Sequence, residues 1–206
     1  MAWQADMSEA TPNLHKDRVS TDILNSTRRA EEEAEMPMIN VTMTKGSLTK
    51  QQRADLTEKL TRQLLKIEGV DNEASRSIAW VLFHEVEPGG WAVGGKFDDT
   101  YVPEGGRFLT VVSVPSGGLH AKGKKDDIAK SVHAAFREVL NLPPENGVQW
   151  APWVIVDEPT DGNWGAGGLI RQLGEIHAFA KAGVPALPGF EAKKQEAQKQ
   201  TAEASA

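Results

Sequence analysis

WVLFHEVEPGGWAVGG, residues 80–95, recurs as WVIVDEPTDGNWGAGG, residues 153–168. Trp80, Val81, Glu85, Gly89, Trp91, Gly94 and Gly95 return in the same ungapped order as Trp153, Val154, Glu158, Gly162, Trp164, Gly167 and Gly168. Two tryptophans and three glycines at matched spacing mark an internal duplication, and a duplicated unit has to be recognised before a fold is assigned. Upstream, Leu56, Leu60 and Leu64 correspond to Ile128, Val132 and Phe136 after a small change of gap, which also sets Gly46 against Gly117. The duplication therefore runs through most of the middle of the chain.

Each copy has the same parts. Met38 to Met43 and Phe108 to Val114 are short β-prone runs leading into glycine-containing turns. In the first copy Thr49 with Gln52 three residues later forms a capping-box signature, and Leu56, Leu60 and Leu64 fall on one helical face. In the second, Ile128, Val132 and Phe136 make the equivalent stripe of a helix over about 122–140. Apolar runs follow both helices, at 79–86 and 153–156. Strand, helix, strand with a long crossover is a β-α-β unit with parallel strands. One unit alone leaves a two-stranded sheet, so two must join edge to edge. The expected fold is a two-layer α+β domain: tandem β-α-β repeats forming a four-stranded mixed sheet backed by two helices. Its other face needs cover, which oligomerisation supplies.

The expected organisation is an extension over 1–36, absent or processed in one reading, a first repeat with its connector over 37–106, a second repeat over 107–184, and a flexible tail over 185–206. The extension ends in the charge-dense 28–35, which has no regular apolar stripe. The tail is rich in Ala, Glu, Lys and Gln.

Composition narrows the chemistry. The absence of cysteine excludes disulfides, thiolate catalysis and cysteine-ligated metal sites, and five scattered histidines form no ligand pattern. A formal net charge of −6 with dispersed Lys and Arg argues against a nucleic-acid surface. No apolar run reaches the roughly 18 residues of a membrane span, and the N-terminus has no signal-peptide pattern. A cytoplasmic protein that binds neither nucleic acid nor membrane is expected, without metal or other cofactor. The pairs Gly94-Gly95 and Gly167-Gly168 lack the strand-to-helix context of a phosphate loop and read as hairpin glycines.

Pro37 carries the sharpest functional signal. It follows Met36 directly and leads the strand-like run Met38-Ile39-Asn40-Val41-Thr42-Met43. If translation starts at Met36, removal of that residue leaves Pro37 as a free secondary amine able to act as base or nucleophile. If the upstream residues stay attached, its nitrogen is an amide without basicity. The bland alternative is a strand-leading proline, tolerated because the first residue of a strand need not donate to the ladder.

These residues resemble the tautomerase superfamily, in particular proteins of the 4-oxalocrotonate tautomerase type fused in tandem. The run from Pro37 to Met43 is similar to that family's opening strand, 48–52 to its helix start, and 81–95 to its second strand and glycine hairpin. The resemblance spans about Pro37 to Phe179. It implies a homotrimer of fused chains and a cofactor-independent isomerase in which an amino-terminal proline acts as acid or base on a small 2-oxo, enol or unsaturated acid. A dehalogenase or hydratase of the same superfamily, with the proline protonated, is an alternative. A non-catalytic trimer whose N-terminal arm serves binding or assembly is another.

The chain also departs from the family. Where the family's tautomerases carry substrate-binding arginines, this sequence has Ser47 and Trp80 in the first copy and Gly118 and Trp153 in the second. A dicarboxylate is therefore disfavoured, because a desolvated charge needs a cationic partner. Trp91 stands where the family has an aromatic at the hairpin and is expected to wall the pocket. Arg76, Arg107, Lys45 and Lys122 are the candidate replacement cations. Trp80 and Trp153 read as packing residues whose side chains alternatively narrow a pocket. Glu85, recurring as Glu158, reads as structural; His84 next to it points to the opposite face, so the two form no dyad. Tyr101 reads as a loop anchor. His120 and Lys122 open the second helix, where backbone N–H groups favour anions.

Overall fold

A computed structural model of the chain describes residues 37–117, 119, 123–142, 152–182 and 190–204, which belong to a single compact unit. In β1 (Met38–Thr44) every second residue is apolar, and Ile39, Val41 and Met43 are wholly buried. The chain leaves the strand through Gly46 and enters α1 (Lys50–Ile67), where Thr49 and Gln52 form the expected capping box. Leu56, Leu60 and Leu64 turn inward, joined by Leu65. A short helix not anticipated from the sequence, α2 (Glu73–Ile78), is capped reciprocally by Asn72 and Ser75 and leads into β2 (Trp80–Val86). The second repeat supplies β3 (Phe108–Ser113), α3 (Lys124–Leu140) and β4 (Trp153–Asp157).

The strands lie in the order β2-β1-β3-β4. Within each repeat they are parallel, and β1 meets β3 antiparallel at the centre, giving the expected mixed sheet. Helices α1 and α3 pack side by side on one face, with the Gln52 side chain donating to the carbonyl of Val139 and Lys59 ion-paired to Glu138. The core between the layers joins the β1 set to Leu56, Leu60, Leu64, Val112, Ile128, Val132 and Phe136. Burial of this apolar stripe, rather than helix propensity, fixes the two long helices.

Strand register defines how the repeats correspond. Met38 pairs with Trp80, and Leu109 pairs with Trp153. Leu109 is thus the counterpart of Met38, and Phe108 the counterpart of Pro37. The same shift carries Asn40 onto Val111, its own partner across the central ladder. The approximate twofold relating the repeats therefore passes through the Asn40–Val111 pair.

Both glycine pairs close tight turns with positive φ at each residue, 59° and 77° at Gly94 and Gly95 and 63° and 78° at Gly167 and Gly168. This is the geometry of a two-residue hairpin, which glycine adopts without steric cost. The second hairpin joins β5 (Gly165–Ala166) to β6 (Leu169–Ile170). Beyond it, α4 (Leu173–Lys181) packs on α2, and Asn72 donates a side-chain N–H to the carbonyl of Ala180. The segment read as a flexible tail contains α5 (Phe190–Ala204), whose Lys194 pairs with Glu73. Its Ala, Glu, Lys and Gln are strong helix formers, which accounts for the helix. None of the described helices is long and apolar enough to cross a membrane.

Candidate active site

Pro37 is buried, immediately before β1. Its carbonyl accepts a hydrogen bond from the Trp80 backbone N–H at 3.1 Å, extending the parallel ladder by one step. The residue is thereby fixed between β2 and the C-terminal end of β3. In the second repeat Phe108 occupies this place, 3 % exposed, with its ring 4.9 Å from that of Phe136. One proline position per chain follows.

Trp80 touches Pro37 through its backbone, while register pairs it with the next residue, Met38. Odd-numbered residues of β1 face the helices, so Met38 and its partner Trp80 face the open side of the sheet. Trp80 is 58 % exposed, and its counterpart Trp153 is 64 % exposed. They are therefore not core packing residues of this chain. The sequence hid this because 80–83 is uninterrupted apolar sequence, which does not disclose which face is buried.

The other candidates are dispersed. Trp91 follows the C-terminal end of β2, whereas Pro37 precedes the N-terminal end of its parallel neighbour. A strand of seven residues, roughly 20 Å, separates those ends. Lys45 lies at that far end, ion-paired to Glu87 at 2.6 Å. Arg107 precedes β3, also far from Pro37 because β3 is antiparallel to β1. Its guanidinium donates to the carbonyls of Phe97 and Asp98 and to the carboxylate of Asp99, so it organises the connector. Arg76, just before β2, shares the Pro37 end. It is held by Asp71 at 2.6 Å and by Glu58, and these bonds push its pKa further above the ordinary arginine value. Lys122, with His120 and Gly118, lies outside the described residues.

Glu85 and Glu158 share one job. Each pairs with a cation in the opening turns of the helix of its own repeat, Glu85 with Arg53 and Glu158 with Lys125. His84 projects to the open face and shares a hydrogen bond with Asn40 at 2.9 Å. Among the described residues no group of three or more His, Cys, Asp and Glu is arranged to hold a metal.

A tandem β-α-β sheet backed by two helices, led by a buried proline, defines a class of two-layer α+β proteins. Residues 37–99 match the family model described as Tautomerase enzyme. That match covers the first repeat with its hairpin, and the tandem sheet as a whole has a tautomerase-like fold similar to that of fused 4-OT proteins. Its fold resembles a member of the cis-3-chloroacrylic acid dehalogenase (cis-CaaD) family, with 21 % identity, TM-score 0.54, and coverage of 81 % of this chain and 99 % of that one. It also resembles a native fused 4-OT at 18 % identity and TM-score 0.53, covering 65 % of this chain and 94 % of that one. A third structure, a fused 4-OT described as a wild-type asymmetric trimer, aligns at 15 % identity and TM-score 0.52, covering 65 % and 94 %. No curated protein matched the sequence.

Proposed function

We propose that the chain, when it begins at Pro37, is a cofactor-independent tautomerase-like enzyme that moves a proton on a small conjugated 2-oxo, enol or unsaturated acid. The observation that carries this reading is the burial of Pro37 at the head of β1, locked to Trp80. Desolvation disfavours an ammonium, so a secondary amine there is depressed toward neutrality and can act as a base near pH 7. The amine takes the proton alpha to the substrate carbonyl and returns it at the other end of the conjugated system, leaving the enzyme unchanged. The Trp80 face supports a planar substrate, and Ser47 and Trp80 in place of arginines favour a monoacid over a dicarboxylate.

The fused 4-OT structures described as trimers support a homotrimer here too, in which the open sheet face is covered by other copies. In such an assembly Trp91 reaches a proline site only from a neighbouring copy. The likeness to the cis-CaaD family supports a second reading, a hydratase or dehalogenase in which Pro37 stays protonated and acts as an acid.

Three proteins test the proposal with phenylenolpyruvate as substrate: the chain starting at Pro37, the same chain with Pro37→Ala, and the full chain. Turnover by the first alone is expected. Equal rates for the first two exclude proline catalysis and leave the non-catalytic trimer. NMR titration of the Pro37 nitrogen separates the remaining readings, a depressed pKa favouring the tautomerase.

A further inference from the structure

At the end of the sheet remote from Pro37, the connector of the first repeat folds beside Trp153. Val93, Thr100, Tyr101, Val102, Pro103 and Trp153 line a groove of about 630 Å³. We propose that this groove is a second small-molecule site, one that takes a planar conjugated monocarboxylic acid and binds it without catalysis.

The walls are aromatic and held in place. In the single chain Tyr101 and Trp153 are both more than half exposed; Trp153 stands at a corner of the open sheet face, so the inference requires that neighbouring copies leave this corner uncovered. The Tyr101 ring lies so close to Gly94 that a β-carbon there would stand 2.6 Å from it. Arg107, with only 11 % of its side chain exposed, fastens Phe97, Asp98 and Asp99 from beneath, and Asp98 accepts from the Thr100 backbone. Exposed aromatic faces on an anchored loop suit a flat conjugated ligand, which stacks on them at little ordering cost.

The charge preference comes from Lys96. Its ammonium stands 5.3 Å from the centroid of the Tyr101 ring and makes no ion pair with any described carboxylate. The nearby acids are engaged, Asp99 by Arg107 and Asp98 by Thr100. A ligand carboxylate at the rim would meet an unneutralised cation. No chemistry follows, because Phe108 fills the place that Pro37 holds in the other repeat. The inference does not depend on Pro37 having a free nitrogen.

The test uses the full chain, cinnamate as probe, and NMR of the indole N–H signals of the six tryptophans. The signal absent from Trp153→Ala identifies Trp153. Cinnamate is expected to shift it saturably, and Lys96→Met is expected to weaken binding about tenfold. Cinnamyl alcohol, which lacks the charge, should bind the wild type as weakly as cinnamate binds Lys96→Met. The proposal is overturned if the Trp153 signal stays still at tens of millimolar cinnamate, or if Lys96→Met or the alcohol makes no difference. It is also overturned if Trp153→Ala breaks up the assembly in sedimentation while cinnamate leaves the signal unmoved, since a second copy then occupies the groove. Turnover by the otherwise unaltered Pro37-started chain does not depend on whether cinnamate binds this groove, so the two readings fail separately.

Discussion

The backbone N–H of Trp80 meets the carbonyl oxygen of Pro37 at 3.1 Å, so the residue that starts β1 and the exposed indole of β2 are held in one frame. If this indole supports the substrate, Trp80→Ala in the Pro37-started chain lowers kcat/KM about tenfold for a conjugated acid, within the range of aromatic contacts. Trp80→Phe retains most of the activity. Thermal unfolding midpoints stay close to wild type, because the side chain contributes little to the core of this chain. An unchanged kcat/KM would take Trp80 out of the site.

Glu85 links the end of β2 to the turn after β1. Its carboxyl is held below the usual carboxylate range chiefly by the Gly46 N–H, an effect that desolvation opposes and Arg53 reinforces. A depressed folded-state pKa adds stability that is present above the ordinary carboxylate pKa and is lost as pH falls through the folded value. Glu85→Gln therefore lowers the unfolding midpoint at pH 7, and the gap to wild type closes below about pH 4. Melting curves at pH 7 and pH 3.5 check this; a gap of constant size would assign the effect to packing.

Much of this architecture is legible in the residues themselves. The alternation of Ile39, Val41 and Met43 and the spacing of Leu56, Leu60 and Leu64 are local signals, and the duplication multiplies them. What stays hidden is set by tertiary register. The sequence 80–83 does not disclose its exposed face, and α2 depends on a reciprocal cap between Asn72 and Ser75 within six helical residues. The candidate cations are legible as residue types, but their carboxylate partners lie up to dozens of residues away, as with Lys45 and Glu87. Proximity in sequence to Pro37 or to the hairpin is consequently a poor guide to which end of the sheet a side chain occupies.

The two glycines of the first hairpin separate two costs. Gly95 has φ 77° and open space around its missing β-carbon, so Gly95→Ala carries the backbone cost alone, about 1–2 kcal/mol. Gly94 combines φ 59° with the Tyr101 ring. Gly94→Ala is expected to cost more than Gly95→Ala and to disturb the connector. Urea unfolding of the two variants gives the comparison; equal losses would show that the ring moves aside freely.

Thr110 lies in β3 with no exposure, facing the helices among apolar neighbours, and its hydroxyl has no hydrogen-bond partner. In the first repeat the equivalent position is Ile39. Replacing the hydroxyl with a methyl group removes a buried unsatisfied polar atom at nearly constant shape, so Thr110→Val should stabilise the fold by about 1–2 kcal/mol. Denaturant titration measures it, and a loss of stability would mean that the hydroxyl is satisfied in solution.

The open face of the sheet has its own order. Trp80 and Trp153 mark two diagonal corners, His84 and Asp157 the other two, and exposed Ile155 lies in the row between them. In the proposed trimer this face is covered by other copies, and a charge placed among its apolar residues would have to be desolvated on assembly. Ile155→Glu is accordingly expected to shift the chain toward monomer at micromolar concentration in sedimentation velocity. Its monomer should keep the far-ultraviolet spectrum of the wild type, because the side chain is 49 % exposed and outside the core between the layers. Lys130→Glu, which introduces the same charge on the helical layer, serves as the control and should leave assembly intact. Equal sedimentation of Ile155→Glu and wild type would show that copies associate through another surface.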